Sequence, residues 1–104
     1  MSAIAGQDNT EILGWVLRTL RDLQLVDAES GIDETTGLLG RGIGLDSVEA
    51  LRLVTAIEDE YGLTLEDDEL TADRFRNVGA VVAFVRYKLD KLDSVEDASD
   101  DAAT

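Results

Sequence analysis

The chain has 104 residues, a length that suits one small domain with one hydrophobic core. It carries 9 basic and 23 acidic residues and no histidine, so its formal net charge at pH 7 is −14. This charge argues against nucleic acid or an anionic membrane surface as partner and favours a basic partner protein. Cysteine is also absent, which excludes disulfides and thiolate metal sites and, together with the missing histidine, most enzyme mechanisms.

The sequence contains no apolar stretch near the roughly 20 residues needed to cross a bilayer, and its first residues lack the features of a secretion signal. We therefore expect a cytoplasmic protein without membrane contact. Hydrophobic residues make up 44% of the chain and proline is absent, which is typical of an ordered helical domain.

The first predicted element is an amphipathic helix over residues 9–25, which follows a flexible N-terminus of residues 1–8. Asp8, Asn9 or Thr10 is the candidate N-cap of this helix, and we interpret Trp15 as a residue of the core or its edge. Apolar residues recur at steps of three and four, which places them on one helix face: Ile12, Leu13, Val16, Leu17, Leu20 and Leu23.

A long loop is predicted over residues 26–45, where the helical periodicity fails and glycines accumulate. A loop of this length is usually either functional or disordered. A functional loop is favoured over a disordered one because the segment contains apolar residues that a freely solvated linker does not need: Leu38, Leu39, Ile43 and Leu45. We expect some of them to pin the loop to the core.

The second helix is predicted over residues 47–61. Asp46 and Glu49 have the spacing of a capping box, and Gly62 lies where a left-handed C-terminal residue is expected. We predict an inner apolar stripe made of Val48, Leu51, Val54, Ile57 and Tyr61.

The rest of the chain predicts a short third helix over residues 66–75 and a last helix over residues 78–89 capped by Asn77. The inner face of the last helix is expected to comprise Val78, Val81, Val82, Val85 and Leu89. Residues 90–104 are predicted to be an acidic, disordered tail. The predicted fold is thus all-α: a small four-helix bundle with three major helices, one short helix and a long loop between helices one and two.

The residue that carries a chemical signal is Ser47, at the first position of the second helix. Backbone amides and the helix dipole suit a phosphodiester at that position, although Asp46 and Glu49 oppose its charge. The Asp-Ser-Val sequence alone is weak evidence for a modified serine, since unmodified serine is well tolerated at a helix start. A hydrolase with Ser47 as nucleophile is excluded, because no histidine exists to activate it. Metal binding is not expected, since the acidic run over residues 66–69 lacks the ligand pattern of a calcium loop.

Three segments of the sequence resemble the acyl carrier protein family, which includes the peptidyl carrier domains. Residues 44–51, Gly-Leu-Asp-Ser-Val-Glu-Ala-Leu, are similar to the family's Asp-Ser-Leu motif, with Ser47 at the modified position. Residues 56–62 resemble the acidic and aromatic end of the family's second helix, and residues 75–78 its entry to the last helix. The resemblance spans residues 9–89, the predicted carrier domain.

The resemblance implies that Ser47 receives 4′-phosphopantetheine covalently from coenzyme A through a phosphopantetheinyl transferase. Acyl groups then travel as thioesters on the arm, and the chemistry belongs to acyl- or aminoacyl-loading enzymes and ketosynthase-type synthases. The chain itself is therefore expected to be a free-standing carrier without catalysis and a monomer.

Two residues depart from the family pattern. Val48 stands where leucine is usual, and Arg52 stands where many fatty-acid carriers have glutamate. The cation favours dedicated partners, in polyketide, antibiotic or other specialised-metabolite synthesis, over a generic role in fatty acid synthesis. Open alternatives are an aminoacyl carrier of nonribosomal peptide synthesis and an unmodified acidic scaffold. The predicted docking face on the second helix comprises Asp46, Val48, Glu49, Arg52, Thr55, Glu58 and Asp59.

Overall fold

The computed structural model describes residues 8–27 and 29–103, with side chains described as far as residue 92. This part of the chain contains three α-helices, α1 (Asn9–Asp22), α2 (Ser47–Tyr61) and α3 (Val78–Ala103), and a 3₁₀ turn, Asp67–Glu69. It contains no strand, only an isolated bridge between Gly37 and Asn77. The predicted all-α fold is confirmed. None of the helices in the described ranges has both the length and the apolar character needed to span a membrane.

The hydrophobic core lies where α1 packs against α3 and α2. Each fully buried aliphatic or aromatic side chain contributes about 1.5–3 kcal/mol through removal of its surface from water. Trp15 lies at the edge of this core, as predicted, with its ring 5.3 Å from the Tyr61 ring in an edge-on arrangement. The buried hydrophobic residues of the helices are Ile12, Val16, Leu20, Leu53, Val54, Ile57, Val78, Val81, Val82, Phe84, Val85 and Leu89.

The first helix ends at Asp22, earlier than the predicted residue 25. Gln24 adopts a left-handed backbone with φ of 60°, which stops the helix. The Leu25 N–H then donates to the Leu20 carbonyl at 2.9 Å, and this turn brings the Leu25 side chain into the core. At the other end, Asp8 is the N-cap among the three candidates, since its carboxylate accepts from the Glu11 N–H.

The second helix has the predicted bounds, but its predicted inner stripe is only partly correct. Val54 and Ile57 are buried together with Leu53, whereas Val48 is 68% exposed and Leu51 is 57% exposed. The error has a geometric cause. Each three-residue step falls short of the 3.6 residues of a helical turn, so a stripe built on such steps moves around the helix and reaches the solvent side.

The third helix is shorter than predicted. Helical geometry covers Asp67–Glu69 and ends at Leu70, which has ψ of 69°. Turns then follow, in which Thr71 accepts from the Arg74 N–H through both its carbonyl and its hydroxyl. In so short a segment, the few hydrogen bonds added after the first turn do not offset the unfavourable free energy of helix nucleation. The hydrogen bond to the Thr71 hydroxyl also competes with the hydrogen bonds of a continued helix.

The long loop is held by the last helix. The first N–H groups of α3 have no partners within their own helix, and the loop supplies them: the Thr36 carbonyl accepts from Val78 at 3.0 Å and the Glu34 carbonyl from Gly79 at 2.7 Å. Asn77 is the predicted cap, accepting from the Ala80 N–H at 2.7 Å. The expected apolar anchors of the loop are buried or half-buried: Leu38, Leu39, Ile43 and Leu45.

The last helix starts at the predicted residue and continues to Ala103, beyond its predicted end near Leu89. The segment after Leu89 contains no proline or glycine, so nothing in it terminates a helix. The predicted flexible N-terminus falls mainly on residues 1–7, outside the described residues. The disordered character expected of the acidic tail stays a prediction.

An ion pair ties the 3₁₀ turn to α3. The Lys88 ammonium donates to the two Glu69 carboxylate oxygens at 2.9 and 3.0 Å, and both side chains are largely shielded from solvent. The Glu66 N–H also donates to Glu69. This N–H and the Lys88 ammonium hold the pKa of the Glu69 carboxyl below its ordinary value of 4.5. The ionised carboxylate therefore fastens the segment between α2 and α3.

We predict that Glu69→Gln makes stability less sensitive to acid. Because the pKa of Glu69 is lowered by folding, its contribution is complete above the unfolded pKa and is lost as pH falls through the folded pKa. Urea unfolding from about pH 6 to about pH 3 should give a smaller loss of unfolding free energy in Glu69→Gln than in the wild type. Asp68→Asn, an exposed change on the same turn, is the control. Parallel curves for the wild type and Glu69→Gln would contradict the assignment.

Candidate functional site

Ser47 is exposed at the first position of α2. The capping box fixes the backbone around it: the Asp46 carboxylate accepts from the Glu49 N–H at 2.8 Å, and the Glu49 carboxylate accepts from the Asp46 N–H at 3.1 Å. Leu45, just before the box, is buried and donates its N–H to the Leu38 carbonyl at 2.8 Å. Ser47 is therefore held on a rigid support and faces water.

A tight glycine turn in the loop sets the position of this support. The Ile43 N–H donates to the Gly37 carbonyl at 2.8 Å, which folds the chain back on itself before α2. Gly42 lies against Gly37 with φ of 86°, and a Cβ at Gly42 would come within 2.8 Å of the Gly37 carbonyl carbon. Only glycine satisfies both the backbone angle and the close approach.

A groove of about 420 Å³ opens beside Ser47, between α2 and the segment that precedes α3. Apart from Ser47 and Thr71, its lining side chains are apolar. Such a groove suits a flexible chain with few polar atoms, because contact with it removes apolar surface from water. Its lining comprises Leu39, Ser47, Ala50, Leu51, Val54, Leu70, Thr71, Ala72 and Phe75.

A second depression, of about 440 Å³, lies on the outer face of α2. Four of the predicted docking residues line it: Val48, Arg52, Thr55 and Asp59. Sequence reasoning missed the other three lining residues, which are Leu23, Leu51 and Ala56. The spacing of Leu51, one helical turn after Ser47, is the signal that identifies it as a surface neighbour of the serine.

The other three predicted docking residues make hydrogen bonds within the chain. Asp46 and Glu49 form the capping box described above. Glu58 is half-buried, and its carboxylate accepts from the Leu65 N–H at 2.8 Å, which holds the link after α2. Asp59, by contrast, is exposed and is the better position at which to test docking.

Arg52 is the only basic residue of α2. It is exposed, and among the described residues it forms no ion pair. With Asp59 on the same depression, the outer face of α2 presents one cation, one carboxylate and the exposed side chains of Val48 and Leu51. This surface can recognise a partner by charge and by apolar contact together.

Fold and site together define a small helical domain that presents a helix-initiating serine to solvent. The sequence model of the family described as "Phosphopantetheine attachment site" matches residues 14–85, more than half of the chain. The chain belongs to this family, which confirms the resemblance stated above. The prosthetic group of the family is a covalent 4′-phosphopantetheine.

Curated relatives are acyl carrier proteins. The chain is 38% identical to the acyl carrier protein of an Exiguobacterium species over 47 residues, which are 45% of this chain and 57% of that protein. It is 28% identical to acyl carrier protein 2, mitochondrial, of Arabidopsis thaliana over 75% of this chain and 59% of the relative. It is also 28% identical to the acyl carrier protein of Thermosynechococcus vestitus, over 79% of this chain and 96% of the relative. In the first two comparisons the chain spans less than two thirds of the relative's length.

Proposed function

We propose that Ser47 is the residue to which 4′-phosphopantetheine is attached, and that the chain carries acyl groups between biosynthetic enzymes. The observation that carries the proposal is an exposed serine hydroxyl at the start of α2, rigidly supported and without a hydrogen-bond partner among the described residues. A transferase reaches such a hydroxyl without unfolding any element. When bound, the group supplies the thiol that this cysteine-free chain lacks and that holds acyl cargo as a thioester.

The residues around Ser47 suit such a group. The apolar groove beside the serine offers a surface for the arm or for the first carbons of its cargo, and the exposed serine leaves room for the arm to extend into a partner. Val54 and Phe75 form buried parts of this groove, and the unpaired amides at the start of α2 tolerate a phosphodiester.

We also propose a more specific class of partner: enzymes dedicated to polyketide, antibiotic or other specialised-metabolite synthesis. Arg52 supports it, because a lone cation within the docking face penalises a partner surface that is uniformly basic. The partners we propose are a phosphopantetheinyl transferase, an acyl-loading enzyme and a ketosynthase-type synthase, with the chain acting as a cytoplasmic monomer.

Intact mass tests the proposal and separates it from the unmodified scaffold. The folded wild-type chain, incubated with coenzyme A and a promiscuous phosphopantetheinyl transferase, should gain the mass of one arm. A chain that stays unmodified although folded would establish the scaffold. The mass of the thioester-bound cargo recovered from the native host then separates acyl from aminoacyl carriage.

Charge changes on α2 should alter the loading rate. At low salt, we expect Asp59→Lys to slow loading of Ser47 by a transferase with a basic docking surface about three- to tenfold, mainly through the association rate. Arg52→Glu should speed it with the same enzyme. Both effects should shrink at high salt, because exposed charges are screened.

Asp67→Lys, an exposed change of the same charge on another element, is the control for these two variants. Initial loading rates should be measured at several salt concentrations by intact mass. Equal effects of Asp59→Lys and Asp67→Lys would assign the response to net charge and not to the outer face of α2.

A further inference from the structure

A second surface, which we name the basic–aromatic patch, lies on α3 and the turn before it. It is defined by Arg74, Arg76, Phe84, Tyr87 and Lys91. The Arg74 guanidinium carbon lies 4.4 Å from the centre of the Phe84 ring and 5.4 Å from that of Tyr87. The Lys91 ammonium lies 5.5 Å from the centre of the Tyr87 ring. Both cations thus lie close to the Tyr87 ring.

The patch is open to a partner. Tyr87 is 45% exposed and is one of three large hydrophobic side chains described as exposed, the other two being Val48 and Leu51 on α2. A shallow depression of about 390 Å³ runs beside it; the small residues Ala80 and Ala83 line it, as does the exposed Asp73, which pairs with Arg76. An exposed aromatic ring next to small residues gives an incoming side chain both contact area and access.

The charge of this region opposes that of the whole chain. Five of the nine basic residues lie within residues 74–91. Three of these cations face a carboxylate: Arg76 with Asp73, Arg86 with Asp90, and Lys88 with Glu69. Arg74 and Lys91 form no ion pair within the described residues, although Arg74 also helps to lower the pKa of Glu69. The patch therefore keeps two cations available on a chain of net charge −14.

An acidic partner is the occupant that these charges select. At physiological salt, exposed charges more than about 8 Å apart are largely screened. An approaching carboxylate therefore responds to the three cations of the patch, which outnumber the one carboxylate of its depression, Asp73, more than to the distant acids. A basic partner of the kind expected at α2 meets repulsion here. The patch and the outer face of α2 are consequently complementary to different surfaces.

We infer that the basic–aromatic patch docks an acidic segment of a partner protein. Carboxylates of that segment pair with Arg74 and Lys91, and an apolar side chain packs against Tyr87 above Ala83. The inference does not depend on modification of Ser47. The patch depression and the groove beside Ser47 share no lining residue, but both are bordered by the segment over residues 71–76, so the partner stands next to the cargo site without covering it.

An NMR titration of the ¹⁵N-labelled full chain tests this inference. The probe is a capped peptide of about eight residues that alternates aspartate and phenylalanine, and the control peptide has lysine in place of aspartate. In about 0.15 M salt, the acidic peptide should shift the amide signals of Arg74, Ala83, Phe84, Tyr87 and Lys91 and leave those of α2 unchanged. The basic peptide should leave the patch unchanged.

Variants separate docking from a structural role of the cations. Arg74→Gln combined with Lys91→Glu should weaken binding of the acidic peptide about fivefold or more, as expected for loss of two charge contacts, one at the half-buried Arg74 and one at the exposed Lys91. Arg18→Gln combined with Arg41→Glu changes charge equally on exposed residues elsewhere and should leave binding unchanged. Lys91→Glu alone, on an exposed residue, should weaken binding if the double variant unfolds.

Four results would overturn the inference. The first is that the acidic peptide at about 1 mM shifts no amide signal of the patch, and the second is that both peptides shift these signals equally. The third is that the two double variants weaken peptide binding equally. The fourth is that the same signals shift with protein concentration in the absence of peptide, which indicates binding of a second copy of the chain. Loading of the arm on Ser47 is measured separately by intact mass and does not depend on the patch. The attachment site at Ser47 and docking at the basic–aromatic patch can therefore be refuted independently of each other.

Discussion

Ser47→Ala is expected to abolish attachment of the arm while the fold stays intact. Ser47 is exposed, and its side chain makes no hydrogen bond among the described residues, so its loss should change the free energy of unfolding by no more than about 0.5 kcal/mol. The capping box belongs to Asp46 and Glu49, and it remains in the variant. Intact mass after incubation with coenzyme A and a promiscuous transferase should show no gain at all.

Thr64→Ala is the matched control for this variant, because Thr64 is another exposed hydroxyl, on the link after α2. It should load at the wild-type rate. Circular dichroism of both variants should match that of the wild type. A full mass gain in Ser47→Ala would place the arm on another residue and refute the proposed attachment site.

Gly42→Ala should destabilise the whole domain. The positive φ of Gly42 costs a residue with a side chain about 1–2 kcal/mol, and forcing a methyl group against the Gly37 backbone costs about 1–3 kcal/mol more. Relief of this clash requires opening the turn that brings Leu45 into the core ahead of Asp46. We therefore expect loading of Ser47 to slow as well. Urea unfolding measures the first effect and intact mass the second.

Gly40→Ala separates the two causes. Gly40 also has a positive φ, of 61°, but a Cβ there would meet no atom within 4 Å. Gly40→Ala should therefore lose only the unfolding free energy that the positive φ costs. Gly31 has equally open space and no positive φ, so Gly31→Ala should leave stability nearly unchanged. If Gly40→Ala and Gly42→Ala lose equal stability, the contact with Gly37 is not the reason for glycine at position 42.

Local sequence signals predicted the elements whose causes are local. The bounds of α2 follow from a capping box at one end and a glycine at the other, and both act within a few residues. Asn77 at the start of α3 is a signal of the same kind. The end of α1 at Asp22 was not predictable in this way, because it depends on Leu25 entering the core while Gln24 adopts an unusual backbone.

The serine site illustrates the same division. The amino-acid sequence by itself determined that a serine lies at the start of an amphipathic helix that follows a glycine-rich loop. The Asp-Ser-Val motif and its neighbours carried the family resemblance. The sequence also determined the charges of the residues on that helix. What it left undecided was which of them face solvent.

Only the tertiary structure decided that Val48 and Leu51 face outward beside Ser47 and that Glu58 turns back to hold Leu65. It also brought Arg74 over the rings of Phe84 and Tyr87, which are distant from it along the chain. The physical reason is that periodicity gives the relative angle of residues on one helix, whereas the side that is buried depends on where the other helices and the loop pack.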